Sequence, residues 1–306
     1  MRTLITGATG FIGAYLARVL VREGCKVFAL VRPGSDLWRI QDILPALQVV
    51  PCDLLGPQEA WEATLSNIRP DICFHLAWYT QPGIFLTSDL NVQYLTASLT
   101  LISRVANLGC KRFVVAGTFS EYDLDLGYLS ENSATRPANI YGASKLALYS
   151  VLSQLALTAS FELYWPRLFY VYGPGEHQQR MVPSVINALL RNEATRLTPG
   201  EQIRDFIHVE DAAEAMWTVI QHGLTGAVNV GTGAPVMIRE VALRLGHILE
   251  RPELVRLGDL PYRPGDSMFV CADTRRLREN TRWAPRFTLE DGLRQTAQWW
   301  QAHMPA

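Results

Sequence analysis

The sequence contains no block of basic or acidic residues. Its 28 lysine and arginine residues are nearly balanced by 29 aspartate and glutamate residues, and the formal net charge is −1. Nucleic acids and anionic membrane surfaces bind proteins through clustered Lys and Arg side chains. The charge pattern therefore predicts neither a nucleic-acid partner nor a membrane partner.

Cysteines are few and widely spaced. The chain has five, an odd number, and none of them forms a CxxC pair. This pattern is typical neither of a disulfide framework nor of a zinc site, so we predict no metal site. We expect reduced, mostly buried thiols at Cys25, Cys52, Cys73, Cys110 and Cys271.

Long apolar runs are also missing. No uninterrupted run approaches the ~18 residues that a membrane span needs. Met1 is followed almost at once by Leu4-Ile5-Thr6 and a glycine loop, which is unlike a secretory signal peptide. We therefore expect a cytoplasmic protein.

The chain does contain an alternation of short apolar runs and helical patterns. Its 306 residues suffice for one large α/β domain with an appended lobe. Helical patterns at 11–23 and 57–67 separate the first apolar runs, which favours a doubly wound parallel sheet. Strands are predicted at 3–6, 26–31, 47–50, 72–76, 112–116 and 162–168.

Two further helical patterns, 89–108 and 141–157, are apolar on more than one face. A helix of this kind needs a second partner besides its own sheet. One explanation is a thick core. The other, which we favour, is a homodimer in which these helices pack against their symmetry mates.

The glycine loop is the first functional signal. Gly7, Gly10 and Gly13 follow the first predicted strand and open a helix. In a βαβ unit this spacing permits a tight turn, close approach of a pyrophosphate and close helix–strand packing, which predicts a Rossmann-type dinucleotide site. The loop residues Thr9, Phe11 and Ile12 belong to the same candidate site.

The end of the second strand favours NADP(H) over NAD(H). An NAD enzyme usually places an acid there to bind the ribose 2′-hydroxyl, but this chain has Val31 followed by Arg32. Arg32 can pair with a 2′-phosphate, and Ser35 can add a hydroxyl donor. After the third strand, Asp53 with Leu54 is predicted at the adenine, although Asp53 also suits a turn or a helix cap.

Tyr141 and Lys145 stand at positions i and i+4 of a helix and so project from one face. A nearby ammonium, together with a cationic nicotinamide ring, favours the phenolate of a tyrosine whose free pKa is ~10. Lys145 can also hold the nicotinamide ribose. Thr118, at the end of the fifth strand, can orient the reacting oxygen. An incidental amphipathic pair would leave the same pattern.

At these residues the chain resembles the extended short-chain dehydrogenase/reductases, a group of nucleotide-sugar epimerases, dehydratases and ketoreductases. The resemblance runs nearly end to end. Its motifs are 6–13, His75-Leu76-Ala77, Asn91, Thr118 with Tyr122, Tyr141 with Lys145, Tyr172-Gly173-Pro174, Arg204-Asp205-Phe206 and Arg263-Pro264-Gly265-Asp266.

The resemblance implies a role for each matched residue. Tyr141 would be the proton donor or acceptor, Lys145 its pKa-lowering partner and Thr118 the hydroxyl that orients the substrate. Leu76-Ala77 would line the nicotinamide ribose through its backbone, and Asn91 would support the site from its helix.

The same resemblance indicates a nucleotide-sugar substrate. Arg204 and Arg263 match arginines that contact a diphosphate, although both could instead be salt-bridged surface groups. Tyr170 stands where the family has an Asn that contacts the diphosphate or the sugar. The remaining candidates for the sugar pocket, each equally suited to core packing, are Trp78, Tyr79 and Tyr122.

The reaction is predicted by elimination. Dehydratases of the family carry an Asp-Glu pair after the active-site Thr, whereas this chain has Phe119 and Ser120, with Glu121 one position further on. That leaves C4 epimerisation and C4 ketone reduction. The NADP-like site at Arg32 suits a reductase, since NADPH is the cell's usual reducing donor, and Tyr170 disfavours the usual epimerase pocket. We therefore expect an NADP(H)-dependent 4-ketoreductase acting on a nucleotide-activated 4-keto-6-deoxyhexose. The alternatives are a nucleotide-sugar 4-epimerase, a reductase of a non-sugar ketone and a non-catalytic dinucleotide sensor.

Two lobes follow from the motif positions. Residues 1–168 plus about 204–233 are predicted to form the Rossmann domain. Residues 169–203 plus 234–306, richer in Gly and Pro, are predicted to form a smaller substrate-binding lobe.

Overall fold

The computed structural model describes residues 1–57 and 59–303. Its strands are β1 (Arg2–Thr6), β2 (Lys26–Val31), β3 (Leu47–Pro51), β4 (Ile72–His75), β5 (Arg112–Val115), β6 (Gly117–Thr118), β7 (Tyr128–Leu129), β8 (Glu162–Leu168), β9 (Tyr170–Tyr172), β10 (Ile203–His208), β11 (Gly226–Val230), β12 (Pro235–Met237) and β13 (Phe269–Ala272). Its helices are α1 (Phe11–Arg22), α2 (Glu59–Ile68), α3 (Leu90–Asn107), α4 (Ile140–Ala159), α5 (Met181–Leu190), α6 (Val209–Gln221), α7 (Ile238–Ile248), α8 (Arg275–Thr281) and α9 (Leu289–His303).

The main sheet is parallel and has the strand order β3-β2-β1-β4-β5-β8-β11, with the short β6 also paired to β8. The predicted doubly wound α/β fold is therefore confirmed. The order reverses between β1 and β4, which creates a crevice at their carboxyl ends. Ligands of open α/β sheets bind at such a reversal.

Helices cover both faces of this sheet because its strands are apolar on both sides. One face packs against α1 and α6, with Leu16 and Met216 in the buried cluster. The other face packs against α2, α3 and α4, with Trp61, Leu101 and Leu148 buried there. The sheet is thus held rigidly behind the crevice.

A second, mixed sheet has the order β12-β10-β13-β7, and β9 pairs with β10. Helices α5, α7 and α9 enclose a separate apolar cluster beside it, which contains Ile186, Leu245 and Leu293. The sheet pairing differs from the expected division of the chain at one strand. Because β10 pairs with β9, β12 and β13, residues 203–208 lie in the small sheet rather than with the Rossmann strands.

Most predicted elements agree with the structure. Strands 26–31 and 162–168 have the predicted ends, and strand 72–76 ends one residue earlier, at His75. The helix predicted at 57–67 runs from Glu59 to Ile68, and position 58 of that prediction lies outside the described residues.

The two apolar helices α3 and α4 pack beside each other on the same face of the sheet, where Ile102 and Leu152 are fully buried. Val92, Val151 and Leu157 remain exposed on them. Some apolar side chains of the two helices therefore belong to the core, and others lie on the surface. No helix in the described part of the chain is long and apolar enough to cross a membrane.

Candidate active site

The glycine loop connects β1 to α1 at the crevice. Gly7 has φ +76°, and a Cβ there would lie 2.8 Å from the backbone nitrogen of Ala77. A Cβ on Gly13 would lie 2.0 Å from the carbonyl oxygen of Gly7. Only glycine fits both positions. In the described chain, no side chain caps α1 at Gly10 and no acid occupies its first turn. The first amides of α1 can therefore donate hydrogen bonds to an anion.

A buried polar network joins this loop to the end of β4. The hydroxyl of Thr6 lies 2.9 Å from Nδ1 of His75 and accepts hydrogen bonds from the amides of Leu76 and Ala77 at 3.2 and 3.1 Å. Nε2 of His75 lies 2.8 Å from the Ser98 hydroxyl. Burial lowers the pKa of His75 to about 3, so the ring is neutral. The network holds the Leu76-Ala77 backbone against Gly7.

An exposed cation, Arg32, follows the end of β2. Val31 is buried where an NAD enzyme usually has an acid, and Arg32 is exposed. Arg32 makes no hydrogen bond or ion pair with any residue that the structure describes. The amide of Ser35 donates to the carbonyl oxygen of Arg32 at 3.0 Å, which closes the turn through Gly34. Arg32 and Ser35 are thus presented together at the crevice.

Asp53 has a structural role of its own. Its Oδ1 accepts a hydrogen bond from the amide of Leu55 at 3.0 Å, and its carbonyl oxygen accepts from Gly56. The neighbouring Leu54 packs against the apolar cluster under α2. Asp53 therefore shapes a turn after β3, and its predicted contact with adenine remains a prediction.

Thr118 ends β6, Tyr141 and Lys145 lie in the first turns of α4, and their catalytic roles remain predictions. The Thr118 side chain lies close enough to Tyr141 to lower the pKa of its phenol, and Nζ of Lys145 donates to the carbonyl oxygen of Ala116 at 2.9 Å. Asn139 caps α4 by accepting from the amide of Gly142, which fixes the first turn that carries Tyr141. The three side chains thus lie at the ends of β5 and β6.

The pKa of Tyr141 differs from the expectation of a lowered value. Burial raises the pKa of Tyr141 to about 12, against the opposing effect of Thr118. Burial also lowers the pKa of Lys145 to about 7. The guanidinium of Arg180 also acts to lower the pKa of Tyr141. In this state Tyr141 keeps its proton at neutral pH.

Aromatic side chains from the segment after β4 cover this pair. The ring of Phe85 meets that of Tyr141 edge to face at 5.0 Å. The guanidinium of Arg180 lies 5.0 Å from the centroid of Phe85. Sequence reasoning missed both residues, because neither lies in a recognisable motif. The Gly- and Pro-rich stretch before Arg180 was the available signal of a loop over the site.

Trp78, predicted to line the sugar pocket, lies over Lys145, with Nζ 3.8 Å from the ring centroid. Its indole N–H donates to Oδ1 of Asn91 at 2.8 Å. Asn91 thus supports the site from α3, as expected from its position. Tyr79 follows Trp78 and is half-buried.

Glu121 is directed away from the reacting groups. It is fully buried, and its carboxylate accepts from the amide of Thr118 at 2.8 Å and from Nε of Arg167 at 2.7 Å. The indole N–H of Trp165 binds the same carboxylate. Glu121 therefore supports Thr118 as a fixed anion and is not placed as a free acid or base.

Tyr122, predicted to line the sugar pocket, lies in the core instead. It is fully buried, and its hydroxyl donates to Oδ1 of Asn229 at 2.7 Å, while Arg167 lies over its ring at 4.3 Å. The polar tip is satisfied inside the protein, so Tyr122 is a core residue. Tyr170 differs: it is half-buried and stacks on Phe119 at 4.6 Å.

The two candidate diphosphate arginines are linked through one turn. Arg204 is buried and donates to Asp266 at 2.9 Å, and its guanidinium lies 5.3 Å from the ring centroid of Tyr170. Asp266 ends the turn that Arg263 begins, in which Gly265 has φ +74°. Arg204 is thus salt-bridged, whereas Arg263 is exposed and makes no side-chain hydrogen bond or ion pair within the described residues.

Comparisons with known proteins identify the family of this chain. A sequence profile of the NAD dependent epimerase/dehydratase family matches residues 3–231. A probable dTDP-glucose 4,6-dehydratase from Sinorhizobium fredii is 26% identical over 98% of this chain and 93% of its own length. A GDP-6-deoxy-D-mannose reductase from Pseudomonas aeruginosa is 26% identical over 99% of this chain and 98% of its own.

Among solved structures, UDP-glucose 4-epimerase from Thermotoga maritima with UDP-glucose superposes with a TM-score of 0.88. It is 23% identical, and each chain is covered to 99%. The protein belongs to the NAD-dependent epimerase/dehydratase family. The predicted family, the Rossmann-type fold and the enzyme class are therefore confirmed.

Proposed function

We propose that the protein is an NADP(H)-dependent reductase of the C4 ketone of a nucleotide-activated 4-keto-6-deoxyhexose. One arrangement carries this proposal. The Thr118 side chain lies close enough to Tyr141 to act on the pKa of its phenol, while the nearby Glu121 is held in an ion pair with Arg167. Ketone reduction needs a proton donor and no second carboxylate, whereas the dehydratases of the family use an acid pair after the Thr.

The cofactor site fits a dinucleotide. A Cβ on Gly7 or Gly13 would collide with backbone atoms, so glycine at both positions permits the tight turn that a pyrophosphate can approach, and the uncapped amides of α1 follow that turn. The exposed Arg32, with Ser35 beside it, favours a 2′-phosphate. Bound NADPH would supply the hydride.

Side chains of the protein then bind and protonate the ketone oxygen. Tyr141 carries its proton at neutral pH, because burial raises its pKa to about 12, and donates it to the developing alkoxide. The Thr118 hydroxyl holds the same oxygen by a hydrogen bond. The ammonium of Lys145 compensates the phenolate that remains. One proton and one hydride are consumed for each ketone reduced.

Arg263 and Arg204 support a diphosphate at the far end of the substrate. Arg263 is free to bind a charged group, and Arg204 orders the turn that carries it through Asp266. Arg263→Ala should raise the KM of a nucleotide-sugar substrate about tenfold or more, as expected for a charge-assisted bond. An unchanged KM would indicate a reductase of a non-sugar ketone.

The decisive assay follows absorbance at 340 nm with NADPH and a panel of nucleotide-activated 4-keto-6-deoxyhexoses, with NADH in parallel. Stoichiometric loss of NADPH with one substrate supports the proposal and identifies its nucleotide. Interconversion of nucleotide-hexoses without added cofactor, and no NADPH loss, would make the protein a 4-epimerase instead.

A further inference from the structure

Lys145 lacks the carboxylate that a buried ammonium usually has. Its Nζ donates to the carbonyl oxygen of Ala116 at 2.9 Å. On another side it faces the ring of Trp78, 3.8 Å from the centroid. Within the described residues, no Asp or Glu oxygen forms an ion pair with Lys145. The ring face is therefore a major contact of this charge.

The charged groups around Lys145 are already committed. Glu121 acts on Lys145 through space, but its carboxylate is shared by the Thr118 amide, Trp165 and Arg167. His75, from β4, is neutral, because burial, aided by Lys145, lowers its pKa to about 3. Tyr141, on the same helix, keeps its proton in this state. None of these groups is a free anion for the ammonium.

The orientation of Trp78 is fixed by Asn91. The indole N–H donates to Oδ1 of Asn91 at 2.8 Å. The amide nitrogen of Asn91 donates to the carbonyl oxygens of Phe85 and Ser88 at 2.6 and 2.8 Å. All the hydrogen-bonding atoms of the Asn91 side chain are thus used to hold the segment that carries Trp78 and Phe85. Both aromatic covers of the Tyr–Lys pair depend on this one residue.

We propose that Trp78 is a positioning residue whose ring face stabilises the charged form of Lys145 in place of a carboxylate. A desolvated ammonium over an indole face gains more than one over any other aromatic ring. The proposal rests on the role given to Lys145 in the proposed function. It also explains why a bulky Trp stands directly after the segment that lines the cofactor crevice.

The contact with Trp78 affects the charge of Lys145 because the pKa of this side chain lies close to neutral pH. Burial lowers its pKa to about 7, so a modest loss of stabilisation makes the amine mostly neutral at neutral pH. A neutral Lys145 no longer compensates a phenolate at Tyr141. As pH rises, activity should then be lost at a lower pH than in the wild type.

The chain offers a direct measurement, because its only lysines are Lys26, Lys111 and Lys145. NMR of the ligand-free protein labelled with ¹³C at the lysine ε-carbon follows all three titrations. Trp78→Leu keeps an apolar cover and removes the ring, and Trp78→Phe keeps a ring without the indole N–H. We expect Trp78→Leu to lower the pKa of Lys145 by about one unit and Trp78→Phe to lower it less. Lys26 and Lys111, both exposed, are internal controls.

Three results would overturn the proposal. They are an unchanged pKa of Lys145 in folded Trp78→Leu, a rise in that pKa, and an equal fall in both variants, which would assign the effect to the Asn91 hydrogen bond. If Trp78→Leu does not fold, fluorinated tryptophans incorporated at position 78 keep the shape and weaken the ring face. The pKa should then fall with each added fluorine, and a constant value would contradict the inference.

The pH profile of kcat is the second measurement. Its alkaline limb should move to lower pH in Trp78→Leu by the same amount as the pKa of Lys145. The NMR titration needs no substrate, so it can succeed even if NADPH oxidation is never observed. In that case the proposed function fails and the inference about Trp78 stands.

Discussion

Glu121 and Arg167 form a buried ion pair in which Nε lies 2.7 Å from the carboxylate. Both side chains are almost fully excluded from solvent, and the same carboxylate binds the amide of Thr118. The pair therefore connects β8 to the residue that orients the reacting oxygen. A carboxylate with these partners stabilises the backbone around the active site.

Replacing Glu121 should affect stability more than chemistry. Glu121→Gln leaves Arg167 buried without its counter-ion, which costs about 3–5 kcal/mol of unfolding free energy. Turnover per folded molecule should stay within about tenfold of wild type, because Glu121 transfers no proton in the proposed mechanism. Urea denaturation and the kcat for NADPH oxidation test the two statements. A loss of kcat by a hundredfold with unchanged stability would show that Glu121 is an acid or base after all.

Tyr141→Phe should abolish turnover while leaving the cofactor bound. The phenol supplies the proton for the alkoxide, and loss of such a donor typically costs about 10²- to 10⁴-fold in kcat. Tyr149→Phe is the matched control, because Tyr149 lies two turns further along α4 and packs on Trp165. Cofactor affinity from fluorescence titration should be equal in all three proteins. Normal turnover in Tyr141→Phe would exclude the assignment.

Arg32→Asp should shift the preference from NADPH to NADH. The substitution removes the free cation after β2 and places an acid one residue after the position where NAD enzymes usually have theirs. The ratio of kcat/KM for NADPH to that for NADH should fall on the order of tenfold to a hundredfold. Ser35→Ala, which removes only a hydroxyl donor, should have a smaller effect. An unchanged ratio in Arg32→Asp would contradict the 2′-phosphate assignment.

The main sheet could be predicted because its strands are short apolar runs with clear boundaries. The second sheet could not. Tyr128–Leu129 is only two residues long and pairs with Cys271–Ala272, far away in the chain. Strand Ile203–His208 lies between segments of the Rossmann domain but pairs with the small sheet. Pairing partners at such separations leave no local pattern.

The same distinction holds within the site. The glycine loop and Tyr141 with Lys145 have local spacings that chemistry explains, so sequence reasoning found them. The side-chain partners of Trp78, Tyr122 and Arg204 come from distant segments, and their positions depend on packing. Tyr122 illustrates the error: an aromatic residue next to a catalytic motif points into the core here, because Asn229 satisfies its hydroxyl.

Lys145→Met should stabilise the protein while inactivating it. The pKa of Lys145 is lowered by burial from its ordinary 10.5 to about 7. Between these pH values the unfolded chain holds a proton that the folded chain releases, so wild-type stability rises with pH. The variant should exceed the wild type at pH 7 by on the order of a few kcal/mol, with the gap closing towards pH 10.5.

Urea denaturation at several pH values measures this gap, and Lys111→Met, at an exposed position, is the control. A Lys145→Met protein that is less stable than the wild type at every pH would mean that the contacts of Lys145 outweigh the cost of burying its charge.

The exposed apolar residues of α3 and α4 lead to the last prediction. Their buried faces pack against the sheet and against each other, yet Val92, Val151 and Leu157 remain on the surface, with Leu157 77% exposed. We propose that these residues form a homodimer contact, since paired helices with an unmatched apolar face favour a symmetric partner. Sedimentation should show a dimer at micromolar concentration, and Val151→Glu with Leu157→Glu should yield a folded monomer. Leu126→Glu, at another exposed apolar position, should leave the dimer intact. A wild-type monomer would contradict this contact and would leave the thick core as the explanation for the apolar character of the two helices.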